Sequence, residues 1–303
     1  MSAIRITVPA STSNLGPGFE TLGLAVSLRN RFTFTFNTDK TEVINEGFGA
    51  EQNRAPEENL VVQSFHHRLK ALSGSSPTHF HLHCENNVPF GSGLGSSSTA
   101  ITAGLLAADA WLGKSSDKAE LLSMATEIEG HPDNVTPSIF GGLTASALDQ
   151  DGVRMKPFPV ADWKLAIVVP NITIATKVAR AALPKTVSLP DAVYNLNRIV
   201  FLMKALAEGD EDGLNFAMRD KLHQQYRMKL FSGSEDILAA AVSAGASAAG
   251  ISGAGPGIIA YTMCAERCHE ILQAMTTAAK KAGYRPHAYE LRISSQGASA
   301  ETV

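Results

Sequence analysis

The sequence predicts a mixed α+β protein of two domains. Its 303 residues are 44% hydrophobic and 18% charged, enough to bury a large core, and a chain of this length typically forms about two domains. Segments that alternate apolar and polar residues, as strands do, are interspersed with segments that have helical spacing. A polar, proline-bearing segment at 149–162 is the candidate boundary, so we expect domains at residues 1–155 and 156–303. A hairpin would have the same composition.

Strand and helix patterns alternate through the first half of the chain. RITVPA and RFTFTFN have the alternation of strands, and the second segment places Phe32, Phe34 and Phe36 on one face. Asp117 and Glu120 have the spacing of a capping box at a helix start. The helices predicted in this half span about residues 59–73, 97–112 and 117–130.

The strand predicted in THFHLHCE carries three histidines at alternate positions. A strand would place His79, His81 and His83 on one face, where three imidazoles could bind zinc. The neighbouring sequence implies no further ligand, and a half-buried strand with a polar outer face has the same pattern. We favour the half-buried strand.

The second half of the chain ends in a strand–helix–strand unit. WKLAIVV is typical of a short buried strand, and DAVYNLNRIVFLMKALAEG of a helix with aspartate at its start and glycine at its end. Two more helices are predicted before a strand in GIIAYTM, a helix at about 265–282 and a final strand in HAYELRI. The last three elements indicate an open sheet covered by a helix.

Composition and charge narrow the range of partners. The formal net charge of −3 leaves no basic excess for binding a nucleic-acid backbone. No uninterrupted apolar segment of about 18 residues is present, so no membrane partner is expected. The three cysteines, Cys84, Cys264 and Cys268, fit a reducing compartment rather than a disulfide framework. We therefore expect a globular protein of the cytoplasm.

The segment NNVPFGSGLGSSSTA, residues 86–100, opens directly onto a predicted helix. A helix start has free backbone N–H groups and the positive end of the helix dipole, so glycines that wrap the chain in front of it create a phosphate site. Gly91, Gly93 and Gly95 are the glycines that would let the chain wrap closely around a phosphate, and we call this segment the glycine wrap. A Walker loop needs a lysine and a dinucleotide motif needs G-x-G-x-x-G, and neither is present. A tight turn capped by serines has the same composition, so this segment alone leaves both interpretations open.

A triphosphate site without a loop lysine needs other sources of positive charge. Backbone amides, the helix terminus and a divalent cation can supply it, and magnesium would need a hydroxyl and a carboxylate as protein ligands. Ser97 and Glu129 are the candidate ligands.

Four segments together resemble the GHMP small-molecule kinase family. They are VPASTSNLGPGFETLGLAV, PFGSGLGSSST, EGHPDNVTPSIFGGL and GISGAGPGIIA, and their order and spacing cover most of the chain. The resemblance implies a two-domain α+β fold, with an N-terminal mixed sheet with helices and a C-terminal ferredoxin-like α/β sandwich. The first and third segments are most similar to the branch of homoserine kinases, which phosphorylate the hydroxyl of homoserine with ATP on the route to threonine.

The resemblance implies a nucleotide site built on the glycine-rich segment. The loop would wrap the phosphates of ATP, Ser97 and Glu129 would hold Mg²⁺, and Asn59 would lie on the adenosine side. The cofactor-binding residues that it implies are Asn59, Pro89, Gly91, Ser92, Gly93, Leu94, Gly95, Ser96, Ser97 and Ser98.

The resemblance also implies a pocket for an amino acid. Asp133, Asn134 and Arg180 would lie nearest the reacting groups, with Asp133 first a pocket residue and second a candidate base. Two arginines suit a carboxylate, since each offers a forked pair of donors. The substrate-binding residues that it implies are Asn14, Glu20, Thr176, Arg180, Arg227 and Gly253.

One position departs from the family pattern. Homoserine kinases usually have an aspartate near the substrate's amino group, and Glu20 stands in its place here. The charge is kept and the reach grows by one methylene, which would either tilt the pocket toward another amino alcohol or give a water-bridged contact.

Three functions are compatible with these motifs. The first is ATP-dependent phosphorylation of homoserine by an enzyme that the family resemblance implies to be a homodimer. The second is a kinase of the same family for another small hydroxylated acid, and the third is a non-catalytic nucleotide-binding sensor. The intact Ser97, Glu129 and Asp133 argue against the sensor, and the Arg180 and Arg227 pair favours homoserine over a sugar or an isoprenoid alcohol.

Overall fold

The computed structural model describes residues 3–52, 55–73 and 78–303. Its strands are β1 (Ala3–Ser13), β2 (Leu22–Phe36), β3 (Glu42–Gly47), β4 (Phe80–Asn86), β5 (Leu143–Asp149), β6 (Gly152–Phe158), β7 (Lys164–Val169), β8 (Ala248–Ile251), β9 (Ile258–Thr262), β10 (His287–Arg292) and β11 (Ser299–Thr302). Its α-helices are α1 (Leu60–Ser73), α2 (Ser96–Trp111), α3 (Lys118–Glu129), α4 (Val135–Phe140), α5 (Thr176–Ala181), α6 (Leu189–Glu208), α7 (Glu211–Ala217), α8 (Gln224–Arg227), α9 (Ser234–Ser243) and α10 (Ala265–Lys281).

The first sheet is mixed and is organised around β1 and β2. Its strand order is β11-β1-β2-β4-β3, and β5 and β6 extend from the other end of β2. The length of β2 permits this branching, because residues 31–36 pair with β4 and residues 22–24 pair with β5. β3 runs parallel to β4, whereas β1, β4 and β5 are antiparallel to β2.

Helices α1 and α2 cover the apolar face of this sheet. Phe32, Phe34 and Phe36 are buried there, as the alternation predicts, and they pack in one cluster with Phe65 of α1 and Phe80 of β4. Each fully buried phenylalanine contributes about 1.5–3 kcal/mol of transfer free energy. This core fixes α2, whose N-terminus faces the glycine-rich segment.

The second sheet has a ferredoxin-like arrangement. Its order is β10-β7-β9-β8, every pair is antiparallel, and α9 and α10 pack on it through Ile237, Ile271 and Met275. The predicted fold class, a mixed sheet with helices followed by a ferredoxin-like sandwich, is confirmed.

Capping residues set the helix ends. The side chain of Asp117 accepts hydrogen bonds from the amides of Ala119 and Glu120, as expected of an N-cap. The Glu120 carboxylate accepts from Arg68 of α1 instead of closing a capping box. α6 begins before the predicted aspartate, because the Ser188 hydroxyl caps the helix by accepting from the Asp191 amide. No helix in the described part of the chain has both the length and the apolar character of a membrane span.

The histidine-bearing strand is half-buried, as favoured above. Phe80, Leu82 and Cys84 of β4 are buried, while the imidazoles of His81 and His83 lie on the outer face and pair with Glu42 and Glu46 of β3. His81 and His83 thus have separate carboxylate partners on the neighbouring strand, and His79 Nδ1 lies 3.2 Å from the Thr41 hydroxyl.

The segment at 149–162 contains a hairpin. β5 and β6 pair along their whole lengths, from Leu143 with Phe158 to Asp149 with Gly152. The predicted boundary at residue 155 therefore falls inside β6, and the chain crosses to the second sheet between Phe158 and Lys164. The last strand, β11, returns to the first sheet and pairs with β1. The division into two domains at 155/156 stays a prediction.

Candidate active site

A cavity of about 560 Å³ lies beside the glycine-rich segment. Its walls come from the loop after β1, the N-terminus of α2, residues 129–134, the start of α5 and the end of α8. These segments belong to distant parts of the sequence, and the two sheets bring them together. The volume is that of a site for a small organic ligand.

The glycine-rich segment forms a tight wrap in front of α2. Gly91, Gly93 and Gly95 all have positive φ angles, of 60°, 78° and 67°, a conformation that glycine adopts without steric cost. A Cβ atom on Gly93 would also collide with the carbonyl oxygen of Ser252. Gly95 is the N-cap residue of α2, and no side chain caps this helix. The first amides of α2 are therefore open to the cavity, which Ser96 and Ser97 line.

A buried asparagine anchors this segment to the sheet. Asn30 of β2 accepts hydrogen bonds from the amides of Asn87 (2.8 Å) and Val88 (2.9 Å) and donates to the hydroxyl of Thr99 on α2 (2.8 Å). Asn30 is 1% exposed, so these bonds are shielded from water and hold both ends of the loop.

Ser97 and Glu129 meet across the mouth of the loop. The Ser97 hydroxyl donates to Glu129 Oε1 at 2.6 Å, and the Ser98 hydroxyl lies 3.3 Å from the same oxygen. Within the described residues no lysine or arginine forms a salt bridge with Glu129. A hydroxyl and an unneutralised carboxylate at this separation fit the oxygen ligands that magnesium prefers.

The segment after α3 places a histidine, an aspartate and an asparagine along the cavity wall. His131 Nδ1 lies 2.6 Å from Asp133 Oδ1, and the Asp133 side chain is only 5% exposed. Asn134 is held on both sides, because its Oδ1 accepts from the Ser11 hydroxyl (3.0 Å) and its Nδ2 donates to the Ser13 hydroxyl (2.8 Å).

The pKa of His131 reports on this pair. Burial lowers the pKa, but the hydrogen bond and charge of Asp133, with the charge of Glu129, outweigh burial and raise the pKa above 6.5. The folded protein thus holds the proton more tightly than the unfolded chain. The resulting stabilisation is complete below pH 6.5 and is lost as the pH rises through the raised pKa.

The loop after β1 forms a further wall of the cavity. Asn14 adopts a φ of 73° and donates from Nδ2 to the Gly253 carbonyl at 2.9 Å, while its Oδ1 accepts from the Glu20 amide at 3.0 Å. Asparagine tolerates this left-handed conformation better than most residues. Glu20 Oε1 lies 2.6 Å from Arg180 Nη2 of α5. The Glu20 carboxylate is thus in direct contact with a predicted substrate arginine.

Arg227, the second arginine of the predicted pair, is buried. It is 3% exposed, donates from Nη1 to the Gly253 carbonyl at 2.9 Å and lies 5.1 Å from the centre of the Phe19 ring. Its Nε has no hydrogen-bond partner within the described structure. Burial lowers the pKa of Arg227, partly offset by the charge of Asp133, yet arginine stays protonated. The cavity thus holds a largely desolvated cation whose hydrogen-bonding capacity is only partly used.

Asn59 lies at the opposite end of the cavity. Its Oδ1 accepts from the amides of Val61 (2.9 Å) and Val62 (3.4 Å), so the side chain caps α1. Leu60, Val61 and Phe90 line the wall beside it. These apolar side chains could pack against a flat ring, and the amide NH₂ of Asn59 could donate to it.

Comparison with known proteins identifies the family. The GHMP kinases N-terminal domain matches residues 59–142, and the GHMP kinases C-terminal domain matches residues 202–284. A homoserine kinase of Parasynechococcus marenigrum is 40% identical over 97% of this chain and 94% of its own length. One of Moorella thermoacetica is 38% identical over 97% and 98%.

The chain belongs to the homoserine kinase family of GHMP kinases. A crystal structure of homoserine kinase from Cytophaga hutchinsonii agrees over 99% of this chain and 98% of its own, with a TM-score of 0.88 at 29% identity. The family resemblance of the four sequence segments is thereby confirmed.

Most of the site residues that the homoserine kinase motifs imply face the cavity. Those that line it are Asn14, Glu20, Asn59, Gly91, Ser92, Gly93, Gly95, Ser96, Ser97, Glu129, Asp133, Asn134, Thr176, Arg180 and Arg227.

Four implied residues lie behind the wall instead. Leu94 packs in the hydrophobic core, and the Pro89 carbonyl accepts the Ser92 hydroxyl. Ser98 is buried and reaches Glu129 from within α2. The Gly253 amide, the donor that this residue could offer a substrate, donates to the Ser13 carbonyl instead. These residues support the site rather than line it.

Among the lining residues without a predicted role, His131 and Phe19 contact predicted site residues and lie inside the sequence motifs. His131 stands between Glu129 and Asp133 in EGHPDN, and that position is the signal that could have found it. Phe19 precedes Glu20 in the first motif. An aromatic residue at that position is equally typical of a hydrophobic core. Only the fold shows that its ring lies under Arg227.

Proposed function

We propose that the chain transfers the γ-phosphoryl group of ATP to the hydroxyl of L-homoserine, forming O-phospho-L-homoserine on the route to threonine. One observation carries the proposal: a single cavity joins an uncapped helix N-terminus with its glycine wrap to a pocket that holds two guanidinium groups and a carboxylate. Membership of the homoserine kinase family supports both halves.

We assign the nucleotide to the part of the cavity where the first backbone amides of α2 are open. The wrap of Gly91, Gly93 and Gly95 brings backbone N–H groups and the positive helix terminus to the phosphates of ATP. The adenine ring would lie against Phe90 and Leu60, with Asn59 as the hydrogen-bond donor.

Ser97 and Glu129 are the residues that would hold a magnesium ion. Their oxygens face each other at 2.6 Å and fit a hard cation. A bound Mg²⁺ supplies positive charge that neutralises phosphate oxygens during transfer.

The amino-acid end provides charges that complement a zwitterion. Arg180 and Arg227 would bind the carboxylate, and Glu20 would bind the ammonium group while keeping Arg180 in place. The buried Arg227 contributes most to discrimination, because a desolvated cation loses most when its partner is absent.

Asp133 and Asn134 line the cavity and would contact the substrate hydroxyl. Phosphoryl transfer has a loose transition state, so alignment of the attacking oxygen matters more than a strong base. Asn134, fixed by Ser11 and Ser13, orients that oxygen, and the anionic Asp133, paired with His131, can accept its proton.

Asp133→Asn separates these roles. If Asp133 accepts the proton, kcat falls roughly 10²-fold, within the range for a lost general base. The pKa of His131, followed by NMR, falls because the carboxylate that raises it is gone. Asp39→Asn, at an exposed loop position, is the control. An unchanged kcat together with a lowered His131 pKa would exclude the base role.

Initial rates of ADP release test the substrate assignment. The panel is L-homoserine, L-threonine, L-serine, 4-hydroxy-L-threonine, mevalonate and galactose, each with ATP and magnesium. We expect turnover with homoserine well above the others. Mevalonate and galactose lack the paired ammonium and carboxylate groups that Glu20 and the two arginines would bind, and membership of the homoserine kinase family favours homoserine among the four amino acids. Preference for another compound would show that Glu20 redirects the pocket, and silence with all six while ATP binds would favour the sensor.

We also propose a homodimer, as the family resemblance implies, and a location in the cytoplasm, which the cysteine content favours. A second copy of the chain would cover the exposed apolar side chains on α6, which supports the dimer. These side chains are Leu189, Leu196, Val200 and Phe201. Light scattering on the purified chain checks the dimer, and a monomeric mass would contradict it.

A further inference from the structure

His223 is a fully buried histidine that the reaction outlined above does not use. It is 0% exposed and stands directly before α8, one helical turn ahead of Arg227. Its Nε2 lies 2.9 Å from the carbonyl oxygen of Gly16, in the loop that carries Asn14 and Glu20. The imidazole therefore bridges the two segments that form the amino-acid pocket.

The Gly16 contact fixes the tautomer of His223. A carbonyl oxygen can only accept, so the hydrogen is on Nε2 and Nδ1 of the neutral ring carries a lone pair. That lone pair faces Arg227 Nη1 at 3.5 Å. Burial lowers the pKa of His223, partly offset by the charge of Asp220, while Arg227 lowers it further. The ring is thus a neutral acceptor for a buried guanidinium group.

Asp220 holds the backbone of His223 in position. Its carboxylate accepts from the amides of Leu222 (2.9 Å), His223 (2.9 Å) and Gln224 (2.7 Å), and from Asn195 Nδ2 at 2.7 Å. These bonds hold the backbone at the start of α8, and the Gly16 carbonyl and the Phe19 ring contact the imidazole itself.

Phe19 completes the connection between His223 and Arg227. Its ring stacks on the imidazole with centroids 5.2 Å apart and an interplanar angle of 24°, and the Arg227 guanidinium lies over the same ring. Three side chains thus pack as a unit, with Arg227 as the only member that presents a charge to the cavity.

We propose that His223, anchored on the Gly16 carbonyl, is a positioning residue that sets the orientation of Arg227 for the carboxylate of the amino-acid substrate. The inference rests on the proposed function, in which Arg227 binds that carboxylate. It assigns to His223 a role in the affinity for the amino acid and none in the affinity for ATP.

A double-mutant cycle tests this role. His223→Phe keeps a stacked ring but removes both nitrogen contacts, and Arg227→Gln removes the guanidinium. We expect a rise in KM for homoserine of about 10-fold or more for each single variant, as for lost hydrogen bonds to a charged group. The KM for ATP and kcat stay nearly unchanged. The double variant should match Arg227→Gln within about twofold, because His223 acts through Arg227.

Two further variants separate positioning from folding. His66→Phe, a partly buried histidine on α1 whose Nδ1 has no partner, is the matched control and should leave the KM for homoserine unchanged. His223→Gln keeps a donor for Gly16 and an acceptor for Arg227, so its KM should lie closer to that of the parent. If His223→Phe does not fold, His223→Gln and the corresponding double variant are compared instead.

The outcomes distinguish this inference from the proposed function. If Arg227→Gln raises the KM for homoserine and His223→Phe does not, the positioning role is wrong and the substrate site stands. Additive effects, or an equal rise in the KM for ATP, would also overturn the positioning role. If Arg227→Gln leaves the KM for homoserine unchanged, the carboxylate site itself is wrong.

Discussion

Glu129→Gln is expected to lower the turnover of ATP and homoserine by roughly 10²-fold or more, the effect of removing one charged group that stabilises a transition state. The carboxylate accepts hydrogen bonds from Ser97 and Ser98, and no arginine or lysine in the described structure neutralises it. An amide keeps the shape of the side chain and removes the charge that a cation would need. The measurement is the initial rate as a function of magnesium concentration.

Glu127→Gln is the matched control for this variant. Glu127 lies on the same helix, α3, but is exposed and does not line the cavity. It should behave as the parent does. Equal rates for Glu129→Gln and the parent at low magnesium would contradict the assignment of Glu129 as an ion ligand.

Gly93→Ala is expected to abolish most of the ATP-dependent activity. A methyl group at this position would collide with the Ser252 carbonyl oxygen, and the residue has a φ of 78°. The wrap must move to relieve the collision, and displacement of a reacting group by about 1 Å can cost 10²-fold in rate. The KM for ATP and kcat, measured at saturating homoserine, report the loss.

Gly113→Ala separates the collision from the backbone strain. Gly113 has a similar φ of 66°, but no atom lies within 4 Å of the added methyl group. This control should lose about 1–2 kcal/mol of stability from the left-handed conformation and retain activity. If both alanine variants kept full activity, the close packing of the loop on Ser252 would have no bearing on ATP use.

The sequence predicts the regular elements of the fold well where one face is apolar. The alternation of Phe32, Phe34 and Phe36 identifies β2, and the side chain of Asp117 marks the start of α3, because both signals are local. β11 is not predictable in this way, since all four of its residues are exposed and it exists through pairing with β1.

The functional site shows the same difference between local signals and long-range contacts. The glycine wrap, Ser97 and Glu129 can be read from their motifs, because each motif has a chemical meaning of its own. The support role of Gly253 cannot, since its amide and carbonyl are engaged by Ser13, Asn14 and Arg227 from distant segments. The contact between His223 and Gly16 likewise joins residues 207 positions apart.

Phosphorus NMR of the reaction mixture tests the central claim most directly. The chain is incubated with ATP, magnesium and L-homoserine, and the products are followed over time. Transfer to homoserine predicts a phosphomonoester signal, split by the adjacent methylene protons, that grows in step with ADP and requires homoserine. Inorganic phosphate as the only new species, or no homoserine-dependent signal while ATP binds, would contradict the claim that this cavity phosphorylates the homoserine hydroxyl.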